Sequence, residues 1–104
     1  MAVRVSADSF EREVLGAEGL AVADFYSDSC IPCKRMSPVV AELEEENADV
    51  KFAKLNINFD PEIAADCEVA SVPTFIFFKD GKEVSRITGA VKKAELQETI
   101  NNLK

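Results

Sequence analysis

Residues 28–34 (DSCIPCK) contain two of the chain's three cysteines, Cys30 and Cys33, with two residues between them, the second of which is a proline. Proline has no amide hydrogen and a preset φ, so Pro32 suits the first turn of a helix. Cys30 then lies at the helix entrance, where unpaired N–H groups and the helix dipole favour an anion. A thiolate held there has a lowered pKa and becomes a nucleophile. The stretch predicts a reactive dithiol, with Cys33 one turn further in, shielded and within reach of an internal disulfide.

A metal site is one alternative for the cysteine pair. Zinc is usually held by four Cys or His ligands, and this chain has no histidine and only one further cysteine, Cys67. An iron–sulfur cluster that needs four thiolates fails on the same count. Only a site shared between subunits would supply enough ligands, so we expect no metal.

A structural role is the other alternative. A disulfide across a two-residue gap closes a very small loop and therefore restricts the unfolded chain little. Inert thiols stay possible, although Pro32 favours the reactive interpretation. Cys67 follows Ile63 by four residues, which is typical of a helical apolar stripe. An accessory thiol open to glutathionylation is the alternative for Cys67.

The overall composition restricts the class of protein. The chain has 104 residues, of which 47% are apolar and 30% charged, so we expect one globular domain over residues 1–104. Its net charge of -7 disfavours nucleic acid and anionic membranes as partners. The N-terminus lacks a signal-peptide pattern and no apolar run reaches the roughly 20 residues of a membrane span. We therefore expect a monomer in the cytoplasm. In that compartment close cysteine pairs are catalytic or metal-binding rather than structural.

Strand and helix patterns alternate along the chain. After a short strand at 2–5, the runs 20–26 and 50–57 are near-continuously apolar, as in strands covered on both faces. Residues 74–78 and 83–87 read as strands joined by an Asp-Gly turn. Helical patterns fill the intervals, giving the order β-α-β-α-β-α-β-β-α. This order predicts an α/β fold with a central mixed five-stranded sheet and four flanking helices.

Two charged residues interrupt the predicted inner strands. Alternation puts Asp24 on one face with Val22, and Lys54 on one face with Phe52. Burial would raise the pKa of Asp24 toward neutrality, and a nearby Lys54 would partly offset that rise. A structural ion pair, or a lysine whose head reaches water, explains the same pattern equally well. Proximity to the cysteine pair favours a functional role.

Four segments together carry a resemblance to a known family. The runs ADFYSDSCIPCKRMSP (23–38), KLNIN (54–58), SVPTFIFFKDG (71–81) and TGA (88–90), in that order, resemble the thioredoxin family over essentially the whole chain. The resemblance implies the thioredoxin fold, with Cys30 as the attacking thiol and Cys33 as the resolving thiol. Asp24 would be the buried carboxylate that assists proton transfer at Cys33, with Lys54 as its neighbour.

The resemblance also implies a substrate groove. Pro73 matches the proline after a cis peptide bond, and the backbone of Val72 would pair with an extended substrate segment. Gly89 would line the same groove, where a side chain would obstruct approach. Ile31 and Pro32, between the two cysteines, would form the rest of the substrate-binding surface.

The function implied by the resemblance is general protein-disulfide oxidoreduction. Disulfide-containing target proteins would be the partners, and a separate thioredoxin reductase would restore the dithiol. We expect no cofactor beyond the Cys30–Cys33 disulfide, since the chain has no Gly-x-Gly-x-x-Gly motif. Ser29 and Tyr26 replace tryptophans common in the family, and Ile31-Pro32 replaces Gly-Pro. The resemblance therefore implies the reaction of the family for this chain, but it does not imply the reduction potential, the reductase or the preferred targets.

Two other functions compete with this one. A binding module would use the groove around Pro73 to hold a dedicated partner without catalysis, and its binding would survive Cys30→Ser. A glutaredoxin-like enzyme would act on glutathione adducts. Both cysteines, Asp24 and Lys54 weigh against a binding module. The Asp24 strand and the spacing to Val72-Pro73 favour the thioredoxin family over a glutaredoxin-like enzyme.

Overall fold

A computed structural model describes residues 3–4 and 7–104. The elements follow the predicted order, and residues 2 and 5 of the predicted first strand lie outside the described part. The strands are β1 Val3–Arg4, β2 Leu20–Tyr26, β3 Lys51–Asn56, β4 Thr74–Lys79 and β5 Lys82–Thr88. The helices are α1 Ala7–Phe10, which continues into a π-helical turn Glu11–Leu15, α2 Ile31–Glu46, α3 Pro61–Asp66 and α4 Lys93–Leu103. None of these helices is both long and apolar enough to cross a membrane.

The strands form one mixed sheet in the order β1-β3-β2-β4-β5. Strands β1, β3 and β2 run parallel, while β4 and β5 are antiparallel to their neighbours. Four strands of six or seven residues form the body, and β1 adds two residues at one edge of the described sheet. The α/β class and the mixed sheet predicted from the sequence are confirmed.

The two faces of the sheet bury separate apolar clusters. One cluster includes Phe10 and Val14 near α1 and Ile63 of α3, and the other includes Leu43 of α2 and Ile100 of α4. Strand β2 contributes to both because its side chains alternate between faces. The first cluster takes Ala21, Ala23 and Phe25, and the second takes Leu20 and Val22. The next residue in the second series is Asp24, so its carboxyl group lies on the face covered by α2.

The turn between β4 and β5 is the predicted tight hairpin. Its central residues Asp80 and Gly81 both have positive φ values, 51° and 85°. This combination defines the type I′ turn, whose twist matches that of the flanking strands. The Asp80 side chain accepts a hydrogen bond of 2.9 Å from the Gly19 amide, which ties the hairpin to the start of β2.

Candidate active site

The cysteine pair lies at the N-terminus of α2, as the sequence predicts. Cys30 is the N-cap residue with an extended backbone (φ −86°, ψ 106°), and Pro32 occupies the first turn. The Cys33 amide donates a hydrogen bond of 3.1 Å to Cys30 Sγ. This is the contact by which an N-cap side chain satisfies a free helical amide, with sulfur in place of oxygen. The helix therefore directs an N–H donor at the sulfur of Cys30.

Cys30 and Cys33 are joined as a disulfide, with Cα atoms 5.2 Å apart. The molecule is thus described in its oxidised state. Both residues are buried, each 8% exposed, so Cys33 is shielded as the sequence predicts, and Cys30 is shielded to the same extent in this state. The disulfide lies within the first helical turn. The Cys30 amide donates a hydrogen bond to the Ser27 carbonyl oxygen (3.3 Å), whereas the Cys33 amide donates to Cys30 Sγ. What distinguishes the two sulfurs is the amide that points at Cys30.

Asp24 is buried beneath the first turn of α2. It is 6% exposed, and burial raises its pKa to about 6, whereas the charge of Lys54 acts to lower it. A cavity of about 170 Å³ is lined by both residues and by Cys33. A polar cavity of that size holds several water molecules. The carboxyl group and the inner cysteine therefore share one polar compartment.

Lys54 does not form a direct ion pair with Asp24. The two residues are partners in the register of β2 and β3. The ammonium group lies over the ring of Tyr26, 5.3 Å from its centre, and no described ion pair within 4.0 Å joins it to Asp24. The alternative of a structural ion pair is therefore wrong. Lys54 acts on the carboxyl group as a charge at a distance.

The predicted groove residues meet at the same end of the sheet. The Val72-Pro73 bond is cis, and the Gly89 amide donates a hydrogen bond of 2.8 Å to the Pro73 carbonyl oxygen. Because Phe25 of β2 pairs with Thr74 of β4, the loop before α2 and the loop ending at Pro73 leave the sheet side by side. Gly89 has a φ of 96°, which favours glycine. A Cβ at this position would have no atom of the described residues within 4 Å.

The two residues between the cysteines face solvent. Ile31 is 62% exposed, and Pro32 is exposed as well. By contrast Pro73 is almost fully buried, while Val72 is half-buried. The surface beside the disulfide is thus apolar at Ile31 and open along the backbone of Val72.

Sequence reasoning missed the hydrogen bonds that hold the loop before Cys30. Asn56 Nδ2 donates to Asp28 Oδ1 (2.9 Å), and the Asp28 amide donates to Asn58 Oδ1 (3.1 Å). The Asn58 amide in turn donates to Asn56 Oδ1 (2.9 Å). The KLNIN run (54–58) was the available signal, since it contains both asparagines. The network fastens the loop after β3 to the loop after β2.

These observations define the class of protein. A cysteine pair at a helix N-terminus, with its sulfurs within bonding distance and a buried carboxyl group behind it, is suited to exchange of thiols and disulfides. Among the described residues no group of three or more His, Cys, Asp or Glu side chains could hold a metal ion. The chain is a thiol–disulfide oxidoreductase.

Comparison with known proteins gives the family. The thioredoxin family model matches residues 1–102. Thioredoxin of Mycobacterium tuberculosis is 41% identical over 106 residues, covering 97% of this chain and 91% of the relative. Thioredoxin of Chlamydia caviae is 43% identical over 97 residues, 93% of each chain, and thioredoxin-2 of Saccharomyces cerevisiae is 36% identical over 98 residues, 94% of each chain. The chain belongs to the thioredoxin family.

Proposed function

We propose that the chain reduces disulfides of target proteins through the Cys30–Cys33 dithiol. The thiolate of Cys30 attacks one sulfur of the target disulfide, and the other target sulfur leaves as a thiolate that takes up a proton. Cys33 then loses its proton and attacks the mixed disulfide. The target departs with two thiols. The two electrons it gained come from Cys30 and Cys33, which are left joined as a disulfide. The N–H of Cys33, directed at Cys30 Sγ at 3.1 Å, is the observation that supports this order of attack.

Asp24 is assigned the proton transfer at Cys33. Its carboxyl group and Cys33 line the same cavity, and its pKa of about 6 suits a group that exchanges protons near neutral pH. Water in the cavity would relay the proton between the two. Lys54 keeps part of the carboxyl population ionised because its charge opposes the effect of burial. Both are therefore proposed as catalytic residues.

The substrate groove is assigned to Ile31, Pro32, Val72, Pro73 and Gly89. No backbone hydrogen bond to Val72 is formed among the described residues, so its amide and carbonyl groups are available to an added strand. Ile31 supplies exposed apolar surface beside the disulfide. Gly89 and Pro73 are joined by a hydrogen bond that sets the floor of the groove.

The remaining assignments rest on the family. A separate thioredoxin reductase would return electrons to Cys30 and Cys33, which makes the chain an electron carrier without a cofactor beyond its own disulfide. We further infer a monomer that acts in the cytoplasm as one domain over residues 1–104. The match of the family model to residues 1–102 supports a single domain.

The test is a trapping experiment with variants in each of which one cysteine is replaced by serine. Reduced Cys33→Ser, mixed with oxidised insulin, is expected to accumulate a mixed disulfide, because attack proceeds and resolution cannot. Cys30→Ser is expected to accumulate none. Cys67→Ser, the matched control, should behave as the wild type and release reduced insulin. A mixed disulfide that forms equally well on Cys30→Ser would refute the assignment of the nucleophile.

A further inference from the structure

An aromatic side chain is exposed in the loop that contacts the active-site loop. Among the described residues the exposed large apolar side chains are Ile31, Phe59 and Val84, with exposed fractions of 62%, 77% and 45%. Ile31 adjoins Cys30, whereas Phe59 lies in the loop between β3 and α3. A phenylalanine exposed to this extent adds little to the core. Single exposed apolar side chains are common on protein surfaces, so it is the position of Phe59, in the loop bonded to the active-site loop, that distinguishes it.

The loop that carries Phe59 is held in place against the active-site loop. Its neighbour Asn58 accepts the hydrogen bond from the Asp28 amide at 3.1 Å, and the Phe59 amide donates to the Asn56 carbonyl oxygen at 3.1 Å. Asp28 precedes Cys30 by two residues. The backbone that carries Phe59 is therefore tied to the active-site loop by hydrogen bonds, which reduces the ordering that a partner would have to impose.

The surroundings of Phe59 carry negative charge. Asp28 and Glu62 are both exposed, the first in the loop that Asn58 contacts and the second in the first turn of α3. The chain as a whole carries a charge of -7. An apolar side chain flanked by lysine or arginine would complement this surface.

We propose that Phe59 is a specificity-determining residue that binds an apolar side chain, flanked by basic residues, of the protein whose disulfide is being reduced. The proposal rests on the proposed function and names the substrate class of the same site. Phe59 touches no reacting atom. It lengthens the encounter during which Cys30 attacks, since an aromatic anchor in a desolvated contact lowers the dissociation rate.

The peptides used in the test place the apolar side chain a short distance from the attacked cysteine. An extended chain advances about 3.3 Å per residue, so three residues span about 10 Å. Asn58, the neighbour of Phe59, contacts Asp28, which precedes Cys30 by two residues. A substrate side chain three residues from the attacked cysteine is therefore used to test contact with this loop.

The experiment uses two peptide disulfides and three forms of the full chain. Each peptide is a symmetric dimer linked by one cysteine, with lysines in both arms and either Leu or Ser three residues to each side of that cysteine. The pre-reduced protein is mixed with each peptide, the reaction is quenched by alkylation, and the second-order rate constant is measured. For the wild type we expect the Leu peptide to react about five- to tenfold faster than the Ser peptide.

Phe59→Ser should reduce this Leu-to-Ser ratio to about one, while Val84→Ser should keep the wild-type ratio. Val84 is the matched control because it is exposed and apolar but lies toward the hairpin end of β5, away from the end at Thr88 that adjoins Pro73. Both substitutions are at exposed positions and are expected to leave the fold intact. Circular dichroism checks this for each variant.

Three results would overturn the proposal. The first is an equal Leu-to-Ser ratio in wild type and Phe59→Ser, and the second is the same loss of ratio in Val84→Ser. The third is a concentration-dependent dimer in sedimentation that Phe59→Ser abolishes, which would assign the surface to a second copy of the chain. Failure of the wild type to reduce either peptide would instead refute the proposed function, so the two failures are distinct.

Discussion

Asp24 of β2 and Lys54 of β3 are register partners in the parallel pair that forms the floor of the active site. Their charged groups are not in direct contact, because the Lys54 ammonium lies over the Tyr26 ring. Burial raises the pKa of Asp24 to about 6 in spite of the opposing charge. The strand pairing thus places a carboxyl group that shares a cavity with Cys33 near a lysine that offsets only part of the effect of burial on its pKa.

Asp24→Asn is expected to stabilise the oxidised protein at pH 7. The folded pKa of about 6 lies above the reference value of 3.8, so folding favours the protonated form. Below about pH 4 both states are protonated and the carboxyl group costs nothing. As the pH rises from about 4 to about 6 the unfolded carboxyl group ionises while the buried one stays largely protonated, so stability falls by about 2–3 kcal/mol and then levels off above pH 6. Asparagine cannot ionise and removes this loss.

The measurement is the free energy of urea unfolding at pH 7 and at about pH 3.5 for both proteins. Any packing cost of the amide is the same at both pH values and cancels in the comparison. A difference between variant and wild type that is equal at the two pH values would contradict the prediction.

Lys54→Gln is expected to raise the pKa of Asp24 further. The positive charge of Lys54 lowers this pKa, and glutamine removes the charge while keeping a polar, slightly shorter side chain. The carboxyl titration, followed by ¹³C NMR on the oxidised protein, should therefore have a higher midpoint. Lys51→Gln is the control on the same strand, since Lys51 pairs with Glu13 at 2.6 Å. An unchanged Asp24 midpoint in Lys54→Gln would show that the cation exerts no field at the carboxyl group.

Gly81→Ala is expected to destabilise the protein more than Gly19→Ala does. Both glycines have positive φ, 85° and 75°, so each alanine incurs backbone strain of about 1–2 kcal/mol. A Cβ at Gly81 would also meet the Leu15 carbonyl oxygen at 2.5 Å, whereas one at Gly19 would have nothing within 4 Å in the part of the chain that the structure describes. Thermal or urea unfolding of the two variants measures the difference. Equal losses of stability would mean that the Leu15 backbone yields freely.

Cys67 is expected to react slowly with iodoacetamide at neutral pH. It is half-buried against the cluster on the α3 face, and burial, followed by the charge of Glu83, raises the pKa of its thiol. In the oxidised protein Cys67 is the only free thiol, so its alkylation can be followed without interference. The rate should increase as the pH rises above 9. Alkylation as fast as that of a cysteine in a short peptide would support the alternative of an accessory thiol.

Much of the fold was predictable because its signals are local. The predicted strand at 20–26 coincides with β2, and the one at 50–57 contains β3, Lys51–Asn56. The Asp80-Gly81 turn follows from residues that tolerate positive φ. Each of these signals depends on periodicity or on the torsional preference of adjacent residues, which tertiary packing here reinforces.

The site was predictable in part. Cys30 and Cys33 are three positions apart, so one helical turn brings them together whatever the rest of the chain does. The contact of Asn58 with Asp28 spans 30 residues and depends on the pairing of β2 with β3. The KLNIN run (54–58) supplies the asparagines but does not say which residue they contact. The exposure of Phe59 was not predicted either, because the burial of a loop residue depends on which other segments pack against it.

The sequence by itself determined the order of the elements, the alternation that turns Asp24 toward α2, and the dithiol at a helix entrance. These depend on backbone geometry within a few residues. Only the tertiary structure decided that Asp24 lies in a shared cavity with Cys33, that Lys54 acts without an ion pair, and that Phe59 is exposed in the loop bonded to the active-site loop. Burial, electric field and exposure depend on distances between segments far apart in the chain, and no local pattern records those distances.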